Sequence, residues 1–179
     1  MVTILGLLVA SFMLYFPYYW CKLKNENEID WGLKWFLTEK SKRDTIFALI
    51  FTLLPLTFIS MNFPVEWGGG NIPHRLSFWN AIDNLGGGIA AAFIEETFYR
   101  GWLQTLLEKK LRRPFIAIII ASLIFALSHL ILITGWLRVA TFFPGLIMGW
   151  LRWRGGSVLP SIIYHGICNI WAVWFAPIP

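Results

Sequence analysis

The chain has 179 residues, 57% of them hydrophobic and 14% charged, a length suited to one domain and a composition too apolar for a soluble one. Its formal charge is +5, but the basic residues gather in short connections beside apolar runs, a pattern that sets membrane topology and meets anionic lipid. No basic patch interleaved with aromatics stands outside those runs, which excludes nucleic acid as a partner.

The first apolar run, roughly Val2 to Trp20, carries no charge and ends in Tyr15, Tyr18, Tyr19 and Trp20. It predicts an uncleaved span with an interfacial aromatic belt rather than a secretory signal. Cys21 to Arg43 holds much of the ordinary charge. There, Ile29, Leu33, Phe36 and Leu37 recur at helical spacing, so the segment reads either as an amphipathic helix lying on the membrane or as a solvated loop. A second span is expected from about Thr45 to Met61, kinked at Pro55. The connection from Asn62 to Asn80 contains Pro64, Gly68, Gly69, Gly70, Pro73 and His74, a helix-breaking composition in which His74 is an ordinary loop residue.

A third span is expected from about Gly87 to Leu107, with Asp83 as a possible cap and Gly86 to Gly88 as a face for close helix approach. Glu108 to Arg113 then forms a basic turn, and Pro114 stands where a first helical residue belongs. The fourth span is about Phe115 to Ile133. The fifth, about Arg138 to Leu151, carries Pro144 and the small-residue pair Gly145 and Gly149. Arg152 and Arg154 make another basic turn before a sixth span, about Val158 to Phe175.

The fold class expected is all-α, a polytopic membrane helical bundle of about six spans. Residues 1–80 would supply two spans and a charged loop, and residues 81–179 a four-span core. Lys and Arg concentrate in the alternate connections 22–43, 109–113 and 152–154, which the positive-inside rule makes cytoplasmic and which places both termini outside. Arg75 and Arg138 fall on the outer side. Cys21 and Cys168 belong to no CxxC pair, so neither a disulfide framework nor a thiolate metal site is implied.

Against this background, ionisable residues inside the apolar runs stand out, because a charge at mid-bilayer costs about 2.5–3.5 kcal/mol on insertion scales and is kept for a function. They are Glu95, Glu96 and Arg100 on span three, His129 on span four, and His165 with Asn169 on span six. At about 1.5 Å per residue from the basic turns, Glu95 and His129 reach the same depth, roughly 20 Å. Neighbouring helical residues point about 100° apart, so Glu95 and Glu96 divide the labour. Glu96 precedes Arg100 by four residues, the favourable order for an ion pair on one helix face. Glu95 is left free to hold and deprotonate water beside an imidazole. His165 and Asn169, one turn apart, can offer donors to the oxyanion formed when that water attacks an amide carbonyl.

These residues form three motifs, EExxxR (Glu95, Glu96, Arg100), FxxxH (Phe125, His129) and HxxxN (His165, Asn169), that resemble the CAAX-protease and bacteriocin-self-immunity family of intramembrane proteases, also called the abortive-infection family. The resemblance covers about residues 85 to 175. It implies a glutamate-type endopeptidase in which Glu95 and His129 activate water, His165 and Asn169 stabilise the oxyanion, and Glu96 and Arg100 hold the site.

No cofactor is expected. Two histidines and a glutamate can in principle bind zinc, but HExxH is absent, span six is read as too distant from His129, and asparagine is an unusual zinc partner. The expected partners are the bilayer and a membrane-anchored or lipidated protein cleaved near its C-terminal or membrane-anchoring segment. Eukaryotic relatives trim prenylated C-terminal tripeptides on the cytosolic side. This chain is short and its site is expected in the outer half of the bilayer, closer to small bacterial members that process C-terminal sorting anchors. Two other readings use the same residues: a non-catalytic immunity protein that binds a peptide toxin or its receptor, and a proton-coupled transporter, against which stands the lack of an inverted repeat.

Overall fold

The computed structural model describes residues 4–62, 73, 75–132 and 136–175, with side chains outside 131–138. His74 and most of the 62–80 connection lie outside the described residues. Among those described there is no strand, and the chain is a bundle of helices. Helix α1 spans Ile4–Lys24 and α2 spans Glu39–Asn62. Phe78–Glu96 (α3), a π-helical segment Thr97–Leu103 and Gln104–Leu111 (α4) run on without a break. They are followed by α5, Pro114–Leu132, then α6, Phe142–Gly155, preceded by a 3-10 stretch Trp136–Thr141, and α7, Leu159–Phe175.

Both α1 and α2 are long and apolar enough to cross a bilayer, and α5 and α7 are shorter apolar helices. Leu5, Leu8, Phe47, Phe51, Leu54, Phe58, Phe115 and Leu127 all project from the bundle. Such a belt is unsustainable in water over this many helices and natural in lipid. This is an integral membrane protein.

Local chemistry sets where several helices begin and end. Thr38 Oγ1 accepts from Ser41 N–H and Thr38 N–H donates to Ser41 Oγ, a reciprocal cap that starts α2 well before the expected Thr45. Ser77, not Asp83, caps α3: its hydroxyl accepts from Asn80 N–H at 3.3 Å, and the helix opens nine residues before Gly87. Pro114 opens α5 as its missing N–H predicts. Arg112 and Gly156 take left-handed φ at the ends of α4 and α6.

The stretch after α1 is neither an interfacial helix nor a solvated loop. Asn27 caps a short 3-10 turn, Glu28–Trp31, and Gly32 closes it at φ 76°. Trp31 and Leu33 are buried, Lys34 O accepts from Val158 N–H at 3.1 Å and from Ser157 Oγ at 2.7 Å, and Phe36 N–H donates to Ser157 Oγ. Of the apolar residues that suggested an amphipathic helix, Leu33 instead plugs the basic end of the bundle with Trp31, lying against Gly101, while Ile29 and Phe36 stay exposed.

Helix α7 packs against α3 on one side, α2 on another and α6 on a third. Tyr164 and Trp171 donate to Thr52 and Thr57 of α2. Aromatic rings of α1, Phe16 and Trp20, meet Trp102 of the π segment edge-on at 4.9 and 5.7 Å. Of the three glycines expected to admit a neighbour, only Gly88 does so: a Cβ there would lie 3.1 Å from Asn169 Cβ, while Gly86 and Gly87 face nothing within 4 Å.

Candidate active site

Glu95 and Glu96 end α3 where the helix widens into its π segment, and their side chains diverge as the helical angle requires. Glu96 and Arg100 are fully buried, with Arg100 Nη1 donating to Glu96 Oε1 at 3.0 Å. The guanidinium also donates to Gly145 O of α6 at 3.2 Å and lies 4.4 Å over the Phe125 ring. Charge, hydrogen bonds and an aromatic face together compensate its desolvation.

His165 of α7 joins the same carboxylate: its Nδ1 stands 3.0 Å from Glu96 Oε1. A carboxylate accepts, so Nδ1 carries the proton there. His129 of α5 makes a parallel arrangement, with Nδ1 donating to Phe125 O at 2.9 Å. Both rings pack edge-on to Phe125, at 4.5 and 5.8 Å. Each imidazole is thereby oriented through Nδ1 and presents Nε2 to Glu95. Glu95 Oε2 lies 4.0 Å from His129 Nε2 and 3.9 Å from His165 Nε2. It is buried and has no protein hydrogen-bond partner. Each gap is too long for a direct hydrogen bond.

Asn169 lies on the same α7 face one turn beyond His165, and its Nδ2 donates to Gly88 O of α3 at 2.9 Å. That bond joins α7 to α3 about two helical turns before Glu95 and leaves the second amide hydrogen for another acceptor. Tyr99 OH donates to Ser128 Oγ at 2.7 Å, and Ser128 Oγ donates to Phe125 O at 2.7 Å, the carbonyl that also receives His129. Sequence reasoning passed over Tyr99 and Ser128, which are unremarkable residue types in a span. Gln104 was also passed over, although Glu96, Arg100, Gln104 and Glu108 recur every four residues and the spacing was there to read.

The expected distance between span six and His129 does not hold, since both imidazoles converge on one oxygen. Zinc ligands bonded at about 2.0–2.2 Å in a tetrahedron stand about 3.3 Å apart. Glu95 Oε2 is 3.9 and 4.0 Å from the two Nε2 atoms, and no group of three His, Cys, Asp or Glu among the described residues is placed to hold a metal ion.

A family model described as type II CAAX prenyl endopeptidase Rce1-like matches residues 77–171, more than half of the chain. The chain belongs to the Rce1-like family. The match takes in α3 through most of α7 and thus every residue around Glu95. Membership makes the chain one of a family of proteases, acting within the membrane on a peptide or protein substrate. No curated protein and no solved structure matches it.

Proposed function

We propose that this Rce1-like chain is a glutamate-type endopeptidase that hydrolyses a peptide bond near the C-terminal or membrane-anchoring segment of a membrane-associated protein. The observation that carries the reading is the convergence of two imidazole Nε2 atoms on a buried, unpartnered carboxylate oxygen of Glu95. A water bridging Glu95 Oε2 and His129 Nε2 gives its proton to the carboxylate as its oxygen attacks the substrate carbonyl. His129 accepts at Nε2, because Nδ1 is committed to Phe125 O. His165 in its doubly protonated form donates from Nε2 to the oxyanion while Nδ1 remains on Glu96, and the second amide hydrogen of Asn169 assists. The carbon–nitrogen bond then breaks, and Glu95 returns the proton to the leaving amine.

Glu96 and Arg100 touch no reacting atom in this scheme; they hold His165 in place. The site's depth, and both termini on the outer side, favour substrates anchored in the outer half of the bilayer. The test is to co-express the chain with candidate anchored proteins and read their C-termini by mass spectrometry. Wild type is expected to yield shortened C-termini and Glu95→Gln none, with the variant melting normally in detergent. Retained turnover by Glu95→Gln rejects the assignment, and retained protection against a peptide toxin would point to the non-catalytic immunity role instead.

A further inference from the structure

Glu95 and His129 belong to helices with different partners. Helix α3 packs on α7 and α1, whereas α5 packs on α6, α4 and the π segment. The 4.0 Å gap between Glu95 Oε2 and His129 Nε2 is therefore set where the π segment, continuous with α3, meets α5.

Tyr99 makes that junction. It is buried four residues beyond Glu95, and its ring stands edge-on to Phe125 at 5.1 Å. Its hydroxyl donates at 2.7 Å to the Oγ of Ser128, the residue immediately before His129. Arg100 and Gln104 donate instead to carbonyls of α6, and Glu96 receives His165 of α7. Among the described residues, no other side-chain hydrogen bond ties the run from α3 through α4 to α5.

Ser128 gives its own hydrogen to Phe125 O at 2.7 Å, so its oxygen is the acceptor for Tyr99 and the direction of the relay is fixed. Phe125 O is also where His129 Nδ1 donates, at 2.9 Å. A serine that bonds the carbonyl three residues back is ordinary in a helix and by itself places nothing. A tyrosine reaching that serine from another helix does more. A buried phenol without an acceptor is costly, so the bond persists and pins the turn that carries His129 to the turn that follows Glu95.

We propose that Tyr99 and Ser128 are positioning residues that hold His129 at its working distance from Glu95. The inference rests on the reading of Glu95 and His129 as the pair that activates water. Misplacing a reacting group by about 1 Å can cost on the order of 100-fold in rate, so a tie at this point is a rate device as well as a packing contact.

The test pairs kinetics with a readout that needs no turnover. Tyr99→Phe keeps the ring against Phe125 and removes only the hydroxyl, Ser128→Ala removes the acceptor, and Ser128→Thr keeps it; thermal melting in detergent checks that each folds. With all three histidines labelled with nitrogen-15, and His129 assigned by its loss in His129→Gln, the imidazole signals of His129 are expected to move in Tyr99→Phe and Ser128→Ala while those of His165, held by Glu96, stay. The same shifts are expected when Glu95→Gln is added. On the anchored protein that wild type shortens, both variants are expected to lose at least about tenfold in kcat with KM little changed, the double variant to lose no more than either, and Ser128→Thr to match wild type. His129 signals that stay in place in a folded Tyr99→Phe, or an unchanged kcat in both variants, overturn the proposal. Shifted His129 signals in a chain whose wild type cleaves nothing support the tie while removing the proposed function.

Discussion

Arg100 keeps a full positive charge with none of its surface exposed, between Glu96, the Phe125 ring and Gly145 O. Such a pair returns little stability over an apolar replacement of both partners, but removing one partner strands the other. Arg100→Met is therefore expected to cost about 3–5 kcal/mol, read as a large fall in the melting temperature in detergent. Glu95→Gln, whose Oε2 has no protein partner to strand, is expected to melt close to wild type. Equal losses for the two variants would contradict this division of roles between adjacent glutamates. The charged residues were legible in the sequence because each violates an apolar run. Tyr99 and Ser128 were not, because serine and tyrosine are common in spans and only their neighbours give them work.

The π segment shows how an element, rather than a residue, arranges the site. Four-residue steps on an α-helix drift by about 40°, which over Glu96, Arg100, Gln104 and Glu108 would carry the series off the face it turns to α6. A π turn holds more residues, so four of them fall short of a full turn and the drift is offset. Helix approach is equally local. Gly149→Ala would bring a Cβ to 2.7 Å from Ile118 Cγ2 and is expected to destabilise by about 1–3 kcal/mol. Gly86→Ala and Gly87→Ala meet nothing and are expected to stabilise by about 0.5–1 kcal/mol each through helix propensity, the opposite sign in the same melting assay. The plug after α1 carries a pH dependence. Lys109, donating to Glu26 at 2.9 Å, holds the Glu26 carboxyl below its ordinary value of 4.5, aided by Trp31 Nε1. With the folded value depressed, the contribution is present above the unfolded value near 4.5 and is lost as pH falls through the folded one. Proteolysis of the 25–38 segment should accelerate on acidification below that range, and Glu26→Gln should make it fast and pH-independent there.

Across the whole molecule, the ends of α1, α4 and α6 bring Lys22, Lys24, Lys109, Lys110, Arg152 and Arg154 to one end of the bundle. We propose, on the positive-inside rule, that this end is cytoplasmic and that both termini lie outside. A periplasmically active phosphatase should work when fused before α1 or after α7 and stay inactive when inserted in the 109–113 turn. The reverse pattern would invert the orientation and with it the leaflet from which substrate is taken. The ion pairs Arg152–Glu108 at 2.6 Å and Arg154–Asp44 at 2.6 Å show that these cations also hold helices together, a second duty that charge counting alone does not reveal.

The sequence by itself determined the helical membrane bundle, the family and the identity of the ionisable residues, because lipid penalises each of these patterns strongly enough to mark them in one dimension. Glu96 with Arg100 was legible too, since four residues along a helix fix two side chains on one face. Only the tertiary structure decided that His165 leans on Glu96 and turns its Nε2 to Glu95, that Asn169 bonds Gly88 O, and that the loop after α1 folds inward. These depend on which helices are neighbours and how they are rotated, and rotation about a helix axis is set by packing against partners far away in the chain.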